Sequence, residues 1–278
     1  MPPAARTISL ALLRIHTGVP VTAAARHHCL GAEMTIVFSI ATPQFIAMTV
    51  DSSVTLEFAD HREYTLGQKV WRFDGTGCVA TWGTRTGNKL DRFLGNRVVT
   101  TSMTVDDLAH LVNRYLREEY RPHEESLDDV GYHVAGFDQS GRPRLHHVVW
   151  GIERPAPIGR PNPQSYRWSE HHPAPNQMMF LYNGRNDLAQ TVVQALLDEI
   201  RRGQDVNFDL TKAHGMIKFG DFVTRFAAEL TPQVGPPFIT SLITRSNHTD
   251  YIVNESLSPV GEKAIADMLE RLDAQQRA

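Results

Sequence analysis

Four residues near the beginning of the chain have types that could together hydrolyse an amide bond, namely Thr35, Asp51, Lys69 and Gly83. A threonine hydroxyl is a weak nucleophile at neutral pH, so it needs an adjacent base. The α-amine of Thr35 could be that base if Thr35 were the first residue of a mature chain, because an α-amine has an ordinary pKa of about 7.7–8.0. Amide hydrolysis by a threonine nucleophile is therefore the chemistry that these residue types favour.

The other three residues have supporting roles in this hypothesis. Lys69 would supply a cation that lowers the pKa of the α-amine, and Asp51 would pair with Lys69, since a buried lysine without a carboxylate is costly. The backbone N–H of Gly83 would face the oxyanion that forms when a carbonyl is attacked. Each residue alone also fits an ordinary role as a turn, a solvated strand start or a strand end, so the hypothesis depends on the four together.

The pattern of apolar residues places these residues at the ends of short strands. Apolar runs at 35–41 and 45–50 are joined by a short turn, and Asp51 follows the second run. Lys69 opens a further run, which a strong turn signal separates from the run that ends before Gly83. The sequence therefore predicts a meander of strands with the site residues at their ends.

The rest of the chain alternates pairs of helices with further strands. Helical periodicity, or an N-cap signal, is found around 90–94 and over 104–116, 187–202, 208–230 and 260–272. Strand patterns are found at 54–58, 132–137, 145–150, 178–182, 238–244 and 251–253, with a polar loop at 59–62. Because the order lacks the strand–helix–strand rhythm of a parallel sheet, we predict an α+β fold of two antiparallel sheets packed face to face, with helices outside.

Two segments differ from this pattern. Residues 1–34 are rich in alanine, and we expect a leader or an N-terminal extension from an over-long gene start, with Met34 as the initiator. Residues 152–176 contain six prolines, which disfavour regular helix and central strand, so we expect a surface loop there. The remaining chain, 35–278, is expected to be a single domain that carries this loop as an insertion.

Composition argues against several classes of function. The net charge of -3 at pH 7 provides no electrostatic basis for binding nucleic acid or an anionic membrane. Two cysteines do not make a disulfide framework, which favours a cytoplasmic setting. The adjacent histidine pairs lack the ligand spacing of a metal site, and glycine spacing matches no nucleotide fingerprint, so we expect neither a metal nor a cofactor.

The stretch 35–83 resembles the start of a proteasome β-type subunit of the N-terminal nucleophile (Ntn) hydrolase family, and that of the bacterial ATP-dependent threonine peptidases. The similarity is carried by four runs: Thr35-Ile36-Val37-Phe38-Ser39-Ile40, Ile46-Ala47-Met48-Thr49-Val50-Asp51-Ser52-Ser53-Val54-Thr55, Gln68-Lys69-Val70-Trp71-Arg72-Phe73-Asp74 and Ala80-Thr81-Trp82-Gly83. It implies a four-layer αββα sandwich, a homo-oligomeric ring, a peptide or amide substrate and an unfoldase ATPase as a candidate partner. It also implies that Thr35 is the nucleophile, supported by Asp51, Lys69 and Gly83.

The sequence departs from that family at three places. Met34 can be aligned with the nucleophile in place of Thr35, and no serine lies near the strand end at Gly184. The aspartate and serine that the family has later in the chain correspond to Thr231 and Val234. Three hypotheses follow: a threonine-type peptide hydrolase, a non-catalytic proteasome-fold subunit that acts by assembly or binding, and an amidase for small molecules.

Overall fold

Two five-stranded antiparallel sheets carry the candidate site at one end. The computed structural model describes residues 35–57, 62–73, 75–83, 87–95, 103–118, 130–152, 164–175, 177–184, 186–202, 208–231, 233–245 and 248–253. The predicted leader at 1–34 and the predicted helix at 260–272 lie outside these residues. The α+β class with antiparallel sheets is confirmed.

The described elements are numbered in chain order. The strands are β1 (Ile36–Ala41), β2 (Ile46–Val50), β3 (Ser53–Glu57), β4 (Arg62–Leu66), β5 (Val70–Phe73), β6 (Gly77–Gly83), β7 (Val130–Phe137), β8 (Pro143–Ile152), β9 (Gln164–His171), β10 (Met179–Gly184), β11 (Phe238–Ile243) and β12 (His248–Val253). The helices are α1 (Gly87–Gly95), α2 (Val105–Glu118), α3 (Asn186–Arg201) and α4 (Ala213–Leu230). Across the described residues, no helix has the length and apolar character needed to cross a membrane.

The strand order shows how distant parts of the sequence reach the site. The first sheet has the order β10-β1-β2-β11-β12, and the second has the order β5-β6-β7-β8-β9. The strands β3 and β4 form a separate hairpin. The first sheet thus places the start of β1 between the ends of β2 and β10, and the second sheet begins with β5, directly after Lys69.

Alternation along β1 explains why every residue of this strand except Ser39 is apolar. Ile36, Phe38 and Ile40 belong to one core cluster with residues of α3 and α4. Val37 and Ala41 belong to a second cluster with residues of the second sheet. Successive side chains of a strand point to opposite faces, so a strand that is covered on both faces needs apolar residues at nearly every position. Each such side chain stabilises the fold by roughly 1.5–3 kcal/mol when fully buried.

A third core cluster lies between the other face of the second sheet and the first two helices. It joins Val79, Tyr132 and Val134 of the sheet to residues of α2 such as Leu108 and Val112. The acidic first turn of α2 and its cap explain where this helix begins, because Thr104 Oγ1 accepts a hydrogen bond from the backbone N–H of Asp107 at 3.1 Å. The predicted start of this helix is confirmed.

One strand was not predicted and one predicted loop is wrong in part. Residues 59–61 of the expected polar loop lie outside the described residues, and β4 begins at its last residue, Arg62, in a pairing with β3 that no local pattern specifies. The segment 152–176 is not irregular throughout, since its residues Gln164–His171 form β9. This strand contains no proline, and within the part of the chain that the structure describes it pairs only with β8, as an edge strand.

Candidate active site

Three of the four predicted residues meet at one end of the two sheets. Lys69 Nζ donates to Thr35 Oγ1 at 3.1 Å and lies 2.9 Å from both carboxylate oxygens of Asp51. The exposed fractions are 6% for Thr35, 4% for Lys69 and 0% for Asp51. Because little water reaches the cluster, its electrostatic interactions are much stronger than they would be at the surface.

Strand pairing explains how these residues come together. Thr35 directly precedes β1 and Asp51 directly follows β2, and the antiparallel register pairs Val37 with Val50. The start of β1 therefore lies beside the end of β2. Lys69 comes from the other sheet, where its carbonyl accepts a hydrogen bond from the backbone N–H of Thr81 at 2.9 Å. The site is thus formed across the two sheets.

Asp51 receives hydrogen bonds from the backbone as well as from Lys69. The N–H of Ile36 donates to Oδ1 at 3.1 Å, and the N–H of Ser53 donates to Oδ2 at 3.1 Å. Burial raises the pKa of the Asp51 carboxyl above its ordinary value, although Lys69 and the backbone N–H groups of Ile36 and Gly235 oppose this effect. Each of these partners is a donor, so the geometry suits the ionised carboxylate, which only accepts. Asp51 therefore holds Lys69 as an ammonium ion.

The contact between Lys69 and Thr35 determines what the lysine can do chemically. An ammonium group has three N–H donors and no acceptor, so Lys69 cannot take the proton of the Thr35 hydroxyl while it is paired with Asp51. Its donated hydrogen bond instead stabilises negative charge that develops on Oγ1. A base for the hydroxyl proton has to come from another group, and the α-amine of Thr35 would be available for that role only if Thr35 were the first residue of a mature chain.

Gly83 lies at the end of β6, toward the same end of the second sheet as Lys69. Val70 pairs with Ala80, so Gly83 is two residues beyond the position opposite Lys69, a distance of about 7 Å along a strand. Its φ of 83° lies in the left-handed region that favours glycine. This placement is compatible with an oxyanion donor, and that role stays a prediction.

The structure adds Gly184, which sequence reasoning passed over as the end of a strand. Gly184 pairs with Ile36 at the end of β10 and has a φ of 90°. A Cβ atom at this position would lie 1.5 Å from the carbonyl oxygen of Thr35. Any side chain here would therefore displace the backbone of Thr35. The available sequence signal was the Asn183-Gly184 turn, but nothing local shows that this turn lies against Thr35.

The loop after α4 covers the other side of Asp51. The carbonyl of Gly235 accepts a hydrogen bond from the N–H of Ser52 at 3.1 Å. Thr231 and Val234 are both buried in the same loop. The resemblance in residues 35–83 placed a later aspartate and serine at these two positions, which hold a threonine and an apolar side chain.

A second buried polar cluster lies between the sheets. His133 of β7 contacts Ser39 Oγ through Nδ1 at 2.9 Å and Asn183 Oδ1 through Nε2 at 2.6 Å. His133 has no exposed surface. Burial lowers the pKa of His133 from 6.5 to about 4, although the hydrogen bond to Asn183 opposes this effect. The ring is therefore neutral at physiological pH.

The depressed pKa of His133 predicts a pH dependence of stability. Between pH 6.5 and about pH 4 the unfolded chain takes up a proton on this histidine that the folded chain does not. Stability contributed by the neutral ring is therefore fully present above pH 6.5 and is lost as pH falls, by about 3 kcal/mol at pH 4. Urea unfolding at pH 7 and pH 4 measures the difference, which the His133→Gln variant should reduce by about 3 kcal/mol.

The control for this measurement is His172→Gln, because the His172 side chain is 60% exposed. It should keep the pH dependence of the unchanged chain. If His133→Gln and His172→Gln have the same dependence, the assignment of the effect to His133 is wrong.

Neighbouring histidines of β8 lie on opposite faces, as strand geometry requires. His146 Nε2 lies 2.9 Å from Asp106 Oδ1 on the side of α2, and the His147 ring lies 5.2 Å from that of His133, between the sheets. In the part of the chain that the structure describes, no group of three or more His, Cys, Asp or Glu residues is arranged to hold a metal ion.

Comparisons with known proteins identify the fold. Neither a protein-family model nor a curated protein matches the sequence. Solved structures do match. The chain is similar to Anbu (ancestral beta-subunit) from Yersinia bercovieri, at 13% identity over 87% of this chain and 97% of that one, with a TM-score of 0.56. A mutant Anbu from Hyphomicrobium sp. strain MC1 is 14% identical over 86% of this chain and 97% of its own, with a TM-score of 0.54.

These matches correct the assignment drawn from residues 35–83. That stretch indicated the proteasome β-type Ntn hydrolases and the bacterial threonine peptidases, and this assignment is wrong, because the matching structures are Anbu proteins. Apolar runs and strand ends reflect where strands begin and stop, which proteins of one fold share whatever their function. At 13% and 14% identity the likeness shows the fold alone, and the chain has a proteasome-like fold.

Proposed function

We propose that the chain is a threonine-type hydrolase of peptide or amide bonds. The observation that carries this proposal is the buried contact of Thr35 Oγ1 with a lysine that an ionised aspartate holds in place. A hydroxyl in this position gains stabilisation for its charged form, which is what a weak nucleophile requires. A buried ion pair as a whole is weak evidence for a role in stability, since apolar residues of the same volume would often serve as well.

The proposed reaction has two steps. The α-amine of Thr35 takes the hydroxyl proton while Oγ1 bonds to the substrate carbonyl carbon, and Lys69 stabilises the charge on the oxygen. The N–H of Gly83 faces the oxyanion, the C–N bond then breaks, and the leaving amine takes the proton from the α-amine. Water attacks the resulting ester in the same way, which releases the acid and restores the hydroxyl of Thr35.

This mechanism requires a free α-amine on Thr35. A start at Met34 followed by removal of the methionine would expose it, and so would removal of a leader that spans 1–34. The active form in this proposal is therefore the single domain at 35–278. A mature chain that still carries Glu33 and Met34 would contradict the mechanism, and intact-mass measurement of the purified protein decides this point.

The wider organisation is also part of the proposal. The three core clusters support a four-layer αββα sandwich, in which each sheet has helices on one face and the other sheet on its other face. The Anbu proteins are described as beta-subunits, which supports a homo-oligomeric assembly for this chain. We further propose a cytoplasmic protein, with 152–176 modifying assembly and an unfoldase ATPase as a candidate partner.

The test is reaction of the chain that begins at Thr35 with an irreversible threonine-directed inhibitor and with fluorogenic peptides. Thr35→Ala should abolish inhibitor labelling and lower peptide hydrolysis by about 10³-fold or more, because it removes the nucleophile. Thr42→Ala, at the other end of β1, is the matched control and should retain both inhibitor labelling and peptide hydrolysis. Labelling that persists in Thr35→Ala contradicts the proposal.

A second candidate is a non-catalytic subunit with an assembly or binding role. The observation that favours it is the replacement of the expected aspartate and serine by Thr231 and Val234, both buried near Asp51. Assembly in the absence of labelling and hydrolysis would select this candidate. Hydrolysis of small amides without hydrolysis of peptides, with or without an unfoldase ATPase, would select a small-molecule amidase.

A further inference from the structure

We propose that His133 and Asn183 are positioning residues for Thr35, which act through a hydrogen-bonded connection between the two sheets. The connection consists of Ser39, His133 and Asn183 and is called the inter-sheet relay below. The inference deepens the proposed function and rests on it for the catalytic part. The relay touches neither the nucleophile nor its lysine, so its effect on them is indirect.

The relay joins three strands from two sheets. Ser39 belongs to β1 and Asn183 to β10, which are neighbours in the first sheet, whereas His133 belongs to β7 in the second. The contacts are 2.9 Å from Ser39 Oγ to His133 Nδ1 and 2.6 Å from His133 Nε2 to Asn183 Oδ1. The His133 ring thus connects β1 and β10 of the first sheet to the second sheet.

The hydrogen-bond pattern determines the tautomer of the ring. Asn183 Oδ1 is an acceptor, so His133 Nε2 carries the proton and Nδ1 accepts from the hydroxyl of Ser39. Both ring nitrogens are therefore used by the neutral form. Polar groups that are fully buried are costly without such partners, which makes the relay sensitive to the loss of any member.

The end of β10 connects the relay to Thr35. Asn183 pairs with Val37, and the next residue, Gly184, pairs with Ile36. Gly184 lies so close to Thr35 that a Cβ atom would be 1.5 Å from the Thr35 carbonyl oxygen. Among the described strands β10 pairs only with β1, so His133 is a second support for the segment that lies against the nucleophile.

Contacts between aromatic rings continue from His133 toward Gly83, the candidate oxyanion donor. The His133 ring lies 5.2 Å from the His147 ring, and the His147 ring lies 5.8 Å from the ring of Trp82. Trp82 directly precedes Gly83, and a Cβ atom on Gly131 would lie 2.6 Å from the Trp82 ring. His133 is therefore hydrogen-bonded to the strand that leads to Gly184 and is linked, through the His147 ring, to Trp82 beside Gly83.

The experiment compares His133→Gln with His146→Gln. Both histidines are buried in the second sheet, but His146 faces α2, where it contacts Asp106 and Trp168. We expect kcat for peptide hydrolysis to fall about tenfold in His133→Gln with KM changed less than twofold, because misplacement of a reacting group lowers the rate of the chemical step. His146→Gln should lower stability and leave kcat unchanged.

A second readout does not depend on activity. Amide hydrogen exchange at Ile36 and Gly184, measured well below the unfolding temperature, should be faster in His133→Gln than in His146→Gln. Asn183→Leu, which removes the acceptor from the other side, should reproduce the change. Equal exchange in the two glutamine variants would overturn the inference. If the unchanged chain hydrolyses nothing, the proposed function fails separately, and exchange alone decides the positioning role.

Discussion

The Lys69→Met variant is expected to lose about 3–5 kcal/mol of unfolding free energy together with all proposed hydrolytic activity. The methionine side chain is similar in length to lysine but cannot compensate the charge of Asp51, which is fully buried. The remaining carboxyl must either stay charged without a cation or take up a proton, and each outcome destabilises the fold. Urea unfolding followed by tryptophan fluorescence measures the loss.

Two further variants test this explanation. Asp51→Asn combined with Lys69→Met removes both charges and should recover part of the stability, because no unpaired charge remains buried. Lys212→Met is the matched control, since Lys212 Nζ lies 2.8 Å from Asp209 Oδ2 in a pair whose lysine is 75% exposed. Little change in the free energy of unfolding is expected for Lys212→Met, because ion pairs at the surface contribute little to stability. Equal losses in Lys69→Met and Lys212→Met would show that burial is not the cause.

The Gly184→Ala variant should lose about 3 kcal/mol or more of stability, and its hydrolysis should fall about 100-fold. The added Cβ would meet the Thr35 carbonyl oxygen at 1.5 Å, so the backbone of β1 or β10 has to move. The residue also has a φ of 90°, which a side chain disfavours. Thermal unfolding and the rate of inhibitor labelling at Thr35 measure the two effects.

Gly75→Ala separates backbone strain from the clash. Gly75 has a φ of 76°, close to that of Gly184, but a Cβ atom there would have nothing within 4 Å. Strain alone should cost about 1 kcal/mol and leave labelling unchanged. If Gly184→Ala is no more harmful than Gly75→Ala, the close approach to Thr35 is not what makes glycine necessary at position 184.

Sequence reasoning identified the catalytic candidates because they occupy strand ends. Thr35 precedes an apolar run and Asp51 follows the next, and two consecutive apolar runs joined by a short turn pair antiparallel. That geometry brings the first residue of one strand beside the last residue of the other. The choice of Lys69 was supported by the resemblance of residues 35–83 to proteasome β-type subunits, and the structure places its Nζ 2.9 Å from Asp51. Local pattern thus displays the strand ends directly, whereas the selection of one lysine depended on that resemblance.

Other features depended on contacts between residues far apart in the chain. Strand β9 was hidden in a proline-rich segment because edge pairing with β8 outweighs its polar composition. Gly184 and the relay of Ser39, His133 and Asn183 were equally hidden, since their partners come from strands that only the fold brings together. The family assignment failed for a related reason: strand-end patterns are shared by all proteins of one fold.

The sequence by itself determined the α+β class and the antiparallel strands around Thr35. These follow from periodicity and turn chemistry, each of which acts over a few residues. Only the tertiary structure decided that Gly184 lies against Thr35 and that His133 joins the two sheets. Those contacts depend on how β10 and β7 are placed relative to β1, and packing of the whole core determines that placement.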